Sequence, residues 1–271
     1  PELSRGLGDV YKRQGLFTFG DGESNNLAYT VNLTRNNTRI NPIFPTGGST
    51  FSINAKFTPP YSLFSGKDYS NLASLEEFQD ENGNPLTEVI DQERFRWLEF
   101  YKIKFNGTWY TPVYEKLTLK TQVDFGFIGA YNLSRGNIPF ERFFLGGDGM
   151  VSYALDGRET IALRGYPNQS LSSRDGSNIY NKFSLELRYP ITLKPSASIY
   201  ALTFLEAGNG YNSFREFNPF SSKRSAGAGV RIFMPAFGLL GIDFAYGFDN
   251  VNSNLTTPNG WETHFVIGQR F

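Results

Sequence analysis

The chain has 271 residues, room for one large domain or two small ones, and its 26 basic and 26 acidic residues cancel, so nothing asks for nucleic acid. It has no cysteine and a single histidine, His264, which excludes a disulfide framework or thiolate metal site and leaves little for zinc or histidine-centred catalysis. Aromatic residues reach 16 %, with 26 Phe and 15 Tyr beside 28 Gly, a mixture that points to β-structure.

The chain opens on Pro1 and runs through "DVYKRQ" at residues 9–14. That hexapeptide resembles the translation of a transposon end used in preparing sequencing libraries. Residues 1–14 are therefore expected to be a non-native scar, set apart from fold reasoning, with the native chain continuing upstream. From residue 15 onward the pattern has period two. Strands are expected at about 26–36, 48–58, 95–110, 116–130, 179–190, 197–209, 224–234, 238–249 and 261–271, with a tenth near 15–20. "NKFSLELRYPI" at 181–191 is the clearest: Phe183, Leu185, Leu187, Tyr189 and Ile191 share one face, and Lys182, Ser184, Glu186 and Arg188 the other. The same parity runs through Leu240, Ile242, Phe244, Tyr246 and Phe248, and helical spacing is found nowhere over a comparable length.

The connections alternate in length. They are short at 37–47, 111–115, 191–196 and 235–237, each at or beside a proline, and long at 59–94, 131–178, 210–223 and 250–260. An up-and-down antiparallel sheet with short turns at one rim and long loops at the other has this pattern, which is that of outer-membrane barrels. Parity alone does not say whether the polar face, with Lys102, Lys104, Lys120, Asp124, Lys182, Glu186, Arg188, Arg231 and Asp243, meets solvent or a wet lumen. Strand length favours the membrane, since a tilted strand crosses the hydrocarbon in about 9–11 residues. Trp97, Tyr110, Tyr189, Phe248 and Trp261, near strand ends, suit an interfacial girdle. No apolar run approaches the length of a membrane helix, about 20 residues.

Smaller features carry less. The acidic residues of loop 59–94, Glu76, Glu77, Asp80, Glu81, Glu88, Asp91 and Glu93, lack the calcium-loop spacing and read as a solvated extracellular loop. "NNT" at 36–38 is a sequon without meaning in a bacterial outer membrane. His264 has no accompanying nucleophile motif for a lumenal hydrolase. No metal and no cofactor are expected.

The C-terminal "HFVIGQRF", with Phe265, Ile267, Gly268 and the final Phe271, resembles the terminal β-signal by which outer-membrane barrels are recognised for insertion. "IPFERFFLGGDGM" followed by "LRGYPNQS" in the long connection 131–178 resembles the BamA-type family of outer-membrane protein assembly factors, as do "RINPIFPTGGS" at 39–49 and "FLEAGNGY" at 204–211. The resemblance covers essentially everything after residue 24. One departure is the stretch 148–160, which spaces the Gly pair farther from the motif than the family pattern does.

The resemblance implies an all-β fold: a transmembrane antiparallel up-and-down barrel, truncated to nine or ten of roughly sixteen strands. Loop 131–178 then folds inward and carries a motif at Leu163, Arg164, Gly165 and Tyr166. An arginine inside a lumen must be paired, and Glu206 is the expected partner, with Asp243 second. Gly165 permits a tight backbone approach and Tyr166 packs on the inner wall. The implied protein is no enzyme. It folds and inserts other barrel proteins at a seam where a client strand adds by edge pairing, Phe271 and its strand forming one side. Its implied partners are the outer-membrane bilayer, client β-barrel proteins and accessory lipoproteins, with POTRA domains upstream. A two-partner secretion transporter of the same superfamily and a passive porin-like barrel are the alternatives. The edge at 15–36 is expected either to stay open or to close a small barrel by pairing 24–36 with 261–271.

Overall fold

The computed structural model describes residues 23–38, 41–136, 138, 140–149, 159–194, 196–251 and 257–268. The expected scar at 1–14, the tenth strand near 15–20 and the terminal Phe271 lie outside the described residues.

Nine strands form one sheet in the order β1 (Tyr29–Asn36), β2 (Gly48–Phe57), β3 (Tyr101–Tyr114), β4 (Leu117–Gly129), β7 (Ile179–Lys194), β8 (Ala197–Tyr211), β9 (Lys223–Met234), β10 (Gly238–Gly247) and β11 (Gly260–Ile267). Two short strands, β5 (Phe143–Leu145) and β6 (Glu159–Ile161), pair in parallel inside the long β4–β7 connection. The neighbours from β4 onward are antiparallel, as an up-and-down chain requires. β1 and β11 end the order, so the closing pair, one of the two outcomes expected for the edge, is not formed among the described residues.

Three boundaries differ from the sequence reading. Residues 95–100 precede β3, because a helix, Thr87–Phe95, runs up to them. Its nine residues carry only a weak apolar stripe, too short for the periodicity to stand out. Pro112 lies within β3 and Pro190 within β7, where the register shifts between Pro190 and Thr192, so both strands outlast their prolines. The turn that follows β3 shrinks to Glu115–Lys116.

The chain divides into two compact units. In the unit of Pro1–Val31, Ala55–Ile103 and Ile128–Arg142, the connection after β2 is more than a solvated loop. Tyr69, Leu72, Phe78 and Ile90 form a small core of their own. Beside it Arg135 is buried, donating to Glu99 at 2.9 Å and to the carbonyls of Arg94, in the last turn of the helix, and Trp97, just past it, and lying 4.8 Å over the Tyr69 ring. Ser62 donates to the same Glu99 through its backbone N–H and its hydroxyl. Among the described residues no acidic group is placed to hold a metal ion.

In the unit of Asn32–Asn54, Lys104–Phe127 and Phe143–Phe271, the strand faces settle which side is inward. Along β7, Lys182, Ser184, Glu186 and Arg188 are buried while Phe183, Leu185, Leu187, Tyr189 and Ile191 are exposed. Asp243 is 0 % exposed, whereas its neighbour Phe244 is 52 % exposed. A water-soluble sandwich or barrel has the opposite arrangement. A polar interior with an apolar exterior is that of a transmembrane barrel, whose outer surface meets hydrocarbon. Tyr189, Phe248 and Trp261 point outward near strand ends, but Tyr110 shares the inward parity of Lys104 and Thr108 and lines the interior cavity, so it is no girdle residue. The interior is also packed from the β1–β2 turn, whose Phe44 is buried against Tyr200, Leu202, Phe204 and Ala245.

Candidate functional site

The polar interior encloses a cavity of about 650 Å³ whose wall includes Lys120, Lys182, Glu186, Arg188, Arg231 and Arg164. Arg164 reaches it from the long connection because β5 and β6 brace the approach. Residues 143–145, from "FERFFLGG", pair with 159–161, and Gly147 then bridges Leu163 through reciprocal N–H···O bonds of 3.1 Å. Phe143, Leu145 and Leu163 are fully buried.

The wall of β8 is shaped to receive this part of the connection. Residues 206, 208 and 210 of "EAGNG" alternate onto the inner face. Glu206 takes the arginine, and a Cβ added at Gly208 would stand 3.3 Å from Leu163, while one at Gly210 would stand 2.3 Å from the Ser177 hydroxyl. A Cβ at Gly210 would thus collide with the connection, while one at Gly208 would first meet the Asn181 carbonyl oxygen of β7 at 2.8 Å.

Arg164 is held by three carboxylates from three strands. Its Nη2 donates to Glu206 Oε1 at 2.7 Å and to Glu186 Oε1 at 2.8 Å, and its Nη1 to Asp243 Oδ2 at 3.2 Å. Its backbone N–H donates to the other Glu206 oxygen at 2.9 Å. The guanidinium carbon lies 3.5 Å over the Phe204 ring, a stacked position open to a planar cation. Burial works against the charge, yet the Glu206 and Glu186 carboxylates outweigh it and hold the guanidinium above its ordinary pKa. The carboxylates have further cations: Arg188 on Glu186 at 2.5 Å, Arg231 on Asp243 at 2.6 Å and Lys182 on Glu206 at 3.2 Å. The Lys182 ammonium also donates to the Ala162 carbonyl at 2.6 Å, tying the residues before the motif to the wall.

The rest of the motif is fastened to the last strands. Gly165 has φ +87, and its N–H donates to His264 Nε2 on β11 at 2.8 Å. Its carbonyl accepts from Asn259 Nδ2 at 2.9 Å. Tyr166 is fully buried, its hydroxyl donating to the Arg224 carbonyl at 2.6 Å, and burial pushes its pKa up to about 12. The acceptor role fixes His264 as neutral with its proton on Nδ1. His264→Leu should leave the Gly165 N–H buried and unpaired, lowering stability by about 1–3 kcal/mol. A lowered midpoint of heat-modifiable gel mobility is the expected result, with His264→Gln retaining more than His264→Leu because its amide oxygen can accept.

The structure therefore brings Leu163, Arg164, Gly165, Tyr166, Glu206 and Asp243 together. Phe265 and Ile267 are outward and exposed on β11, and the Gly268 N–H donates to the Leu239 carbonyl at 2.8 Å. Glu186, His264 and Phe204 were missed as partners of the motif. Their inward parity was visible in the sequence, but their height on the wall is set by strand register, which it did not carry.

A model of the Omp85 superfamily domain matches residues 10–271. Among solved structures, the chain is similar to BamA from Haemophilus ducreyi lacking POTRA domains 1–3, with a TM-score of 0.54 and 18 % identity. That likeness, one of fold, covers 88 % of this chain and 41 % of the other. A comparison with curated proteins gives no match.

Proposed function

The chain belongs to the Omp85 superfamily, barrels of the bacterial outer membrane that insert or secrete proteins, and from that premise we propose that it is the membrane part of an assembly factor. It folds and inserts other outer-membrane β-barrel proteins, working with accessory lipoproteins. The observation that carries this reading is the latch: Arg164 bound by Glu186, Glu206 and Asp243, with Gly165 hydrogen-bonded to the last strand. Such a latch fixes an inward loop against the wall next to β11, the strand at one end of the sheet order. An unpaired strand edge is a template on which an incoming strand forms main-chain hydrogen bonds. Phe265 and Ile267 would then continue an apolar outer face onto the client's first strand.

A passive porin has no use for the latch, and a dedicated secretion transporter would move one polypeptide through the interior instead of templating many at an edge. The test reconstitutes the full-length protein in lipid vesicles and adds an unfolded barrel client, following folding by gel mobility. Folding faster than in empty vesicles is expected, and its loss in Arg164→Ala. Ion conductance without any acceleration of folding would support the porin instead.

A further inference from the structure

The connection between β8 and β9, residues 212–222, lies on the outward side of the wall. Asn181 on β7 faces Asn209 on β8 in the register, and both share the outward parity of Phe183 and Leu205. Each is capped by the loop: Asn181 Nδ2 donates to Ser222 Oγ at 3.1 Å, and Asn209 Nδ2 to the Ser221 carbonyl at 3.2 Å. Tyr211, also outward, donates its hydroxyl to the Asn218 carbonyl at 2.5 Å. Burial follows the same boundary. Ile179 is 1 % exposed, whereas Phe183, on the same strand and face but farther from the loop, is 38 % exposed. The loop thus hooks over the rim and covers the polar end of an otherwise apolar outer face.

Three phenylalanines recur every third residue in the hook. Phe217 packs edge-on to Tyr211 and Phe125, ring centroids 5.2 and 5.6 Å away, and Phe214 reaches Phe127 at 5.5 Å. Phe125 and Phe127 are outward on β4, opposite the inward Asp124. Phe214 remains largely exposed, and Phe220 is 96 % exposed, covered by almost nothing in the protein. On an outward surface continuous with the hydrocarbon-facing band, an aromatic side chain that the protein leaves uncovered is available to lipid. Arg215, exposed beside Phe214, suits the level of the headgroup phosphates.

We propose that residues 212–222 form a bilayer anchor that inserts Phe214 and Phe220 at the boundary between headgroups and acyl chains, below the level that a water-exposed loop would occupy. The proposal rests on the outward face and stands whether the barrel assembles, secretes or conducts.

Residues 1–271 contain no cysteine, so a label introduced there has no competing site within this stretch. Phe220→Cys in the full chain is spin-labelled and reconstituted in vesicles of phosphatidylethanolamine and phosphatidylglycerol, and its accessibility to oxygen and to a nickel chelate is compared. Leu205→Cys on the outer strand face and Glu81→Cys in the exposed loop serve as references, with heat-modifiable mobility confirming folding and Phe214→Cys as a second site. The oxygen-to-nickel ratio at 220 is expected to lie well above that at 81 and to approach that at 205. A ratio equal to that at 81 would overturn the anchor. Shielding from both reagents would overturn it equally, since a protein partner or a second copy would then cover the patch.

Discussion

Arg164→Ala is expected to release the long connection from the inner wall and to abolish assistance to client folding. The substitution removes a cation shared by Glu186, Glu206 and Asp243, all buried, and so leaves negative charge that Arg188, Arg231, Lys182 and, 3.9 Å from Glu186, Lys120 offset only in part. Removing one partner of a buried pair costs about 3–5 kcal/mol, much of it from the charge left behind. Arg164→Lys should recover little, because an ammonium cannot fork to carboxylates on three strands while stacking on Phe204. Limited trypsin digestion of folded protein in vesicles checks this: cleavage after Arg142, buried and on the N-terminal side of the motif, should become fast in both variants and stay slow in the parent chain.

Gly165→Val should give the same loss with every charge in place. The position has φ +87, and a Cβ there would stand 2.8 Å from the Ser225 Cβ and 3.1 Å from the Gly247 nitrogen. A left-handed backbone costs an L-residue about 1–2 kcal/mol before any clash, and a β-branched side chain more. The wall at this point is backbone and cannot yield as a flexible side chain does. Retraction of the motif should break the Gly165 to His264 bond, so the His264 imidazole resonances are expected to shift in Gly165→Val and in Arg164→Ala alike. Unchanged resonances, with normal folding of clients, would show that close approach at Gly165 is dispensable.

The strands were legible because apolar residues alternate with polar ones over most of their length, as in β7, where alternation holds from Lys182 to Ile191. What alternation could not give was the side on which water lies, and the answer came from burial: Asp243 inside, Phe244 outside. Glu206 was legible through "FLEAGNGY" even though its strand face also carries Tyr200, Leu202 and Phe204, which the structure uses for a core with Phe44. Glu186 and His264 were legible only as inward residues. Their meeting at Arg164 depends on the register Ser184 to Glu206 and Asp243 to His264, a property of strand pairs that no single segment encodes. The order within 59–94 was hidden for another reason: Arg135 and Glu99, which hold it, come from outside that stretch.

Whether Arg164 and Glu206 act as one latch is read most directly from a double-mutant cycle, with Arg164→Ala, Glu206→Ala and the double variant each assayed for client folding and for the midpoint of heat-modifiable mobility. Strong non-additivity is expected, the double variant losing little more than either single change, because each already breaks the same interaction. Losses that add would contradict it, making Arg164 and Glu206 independent contributors and the loop's attachment the work of other contacts.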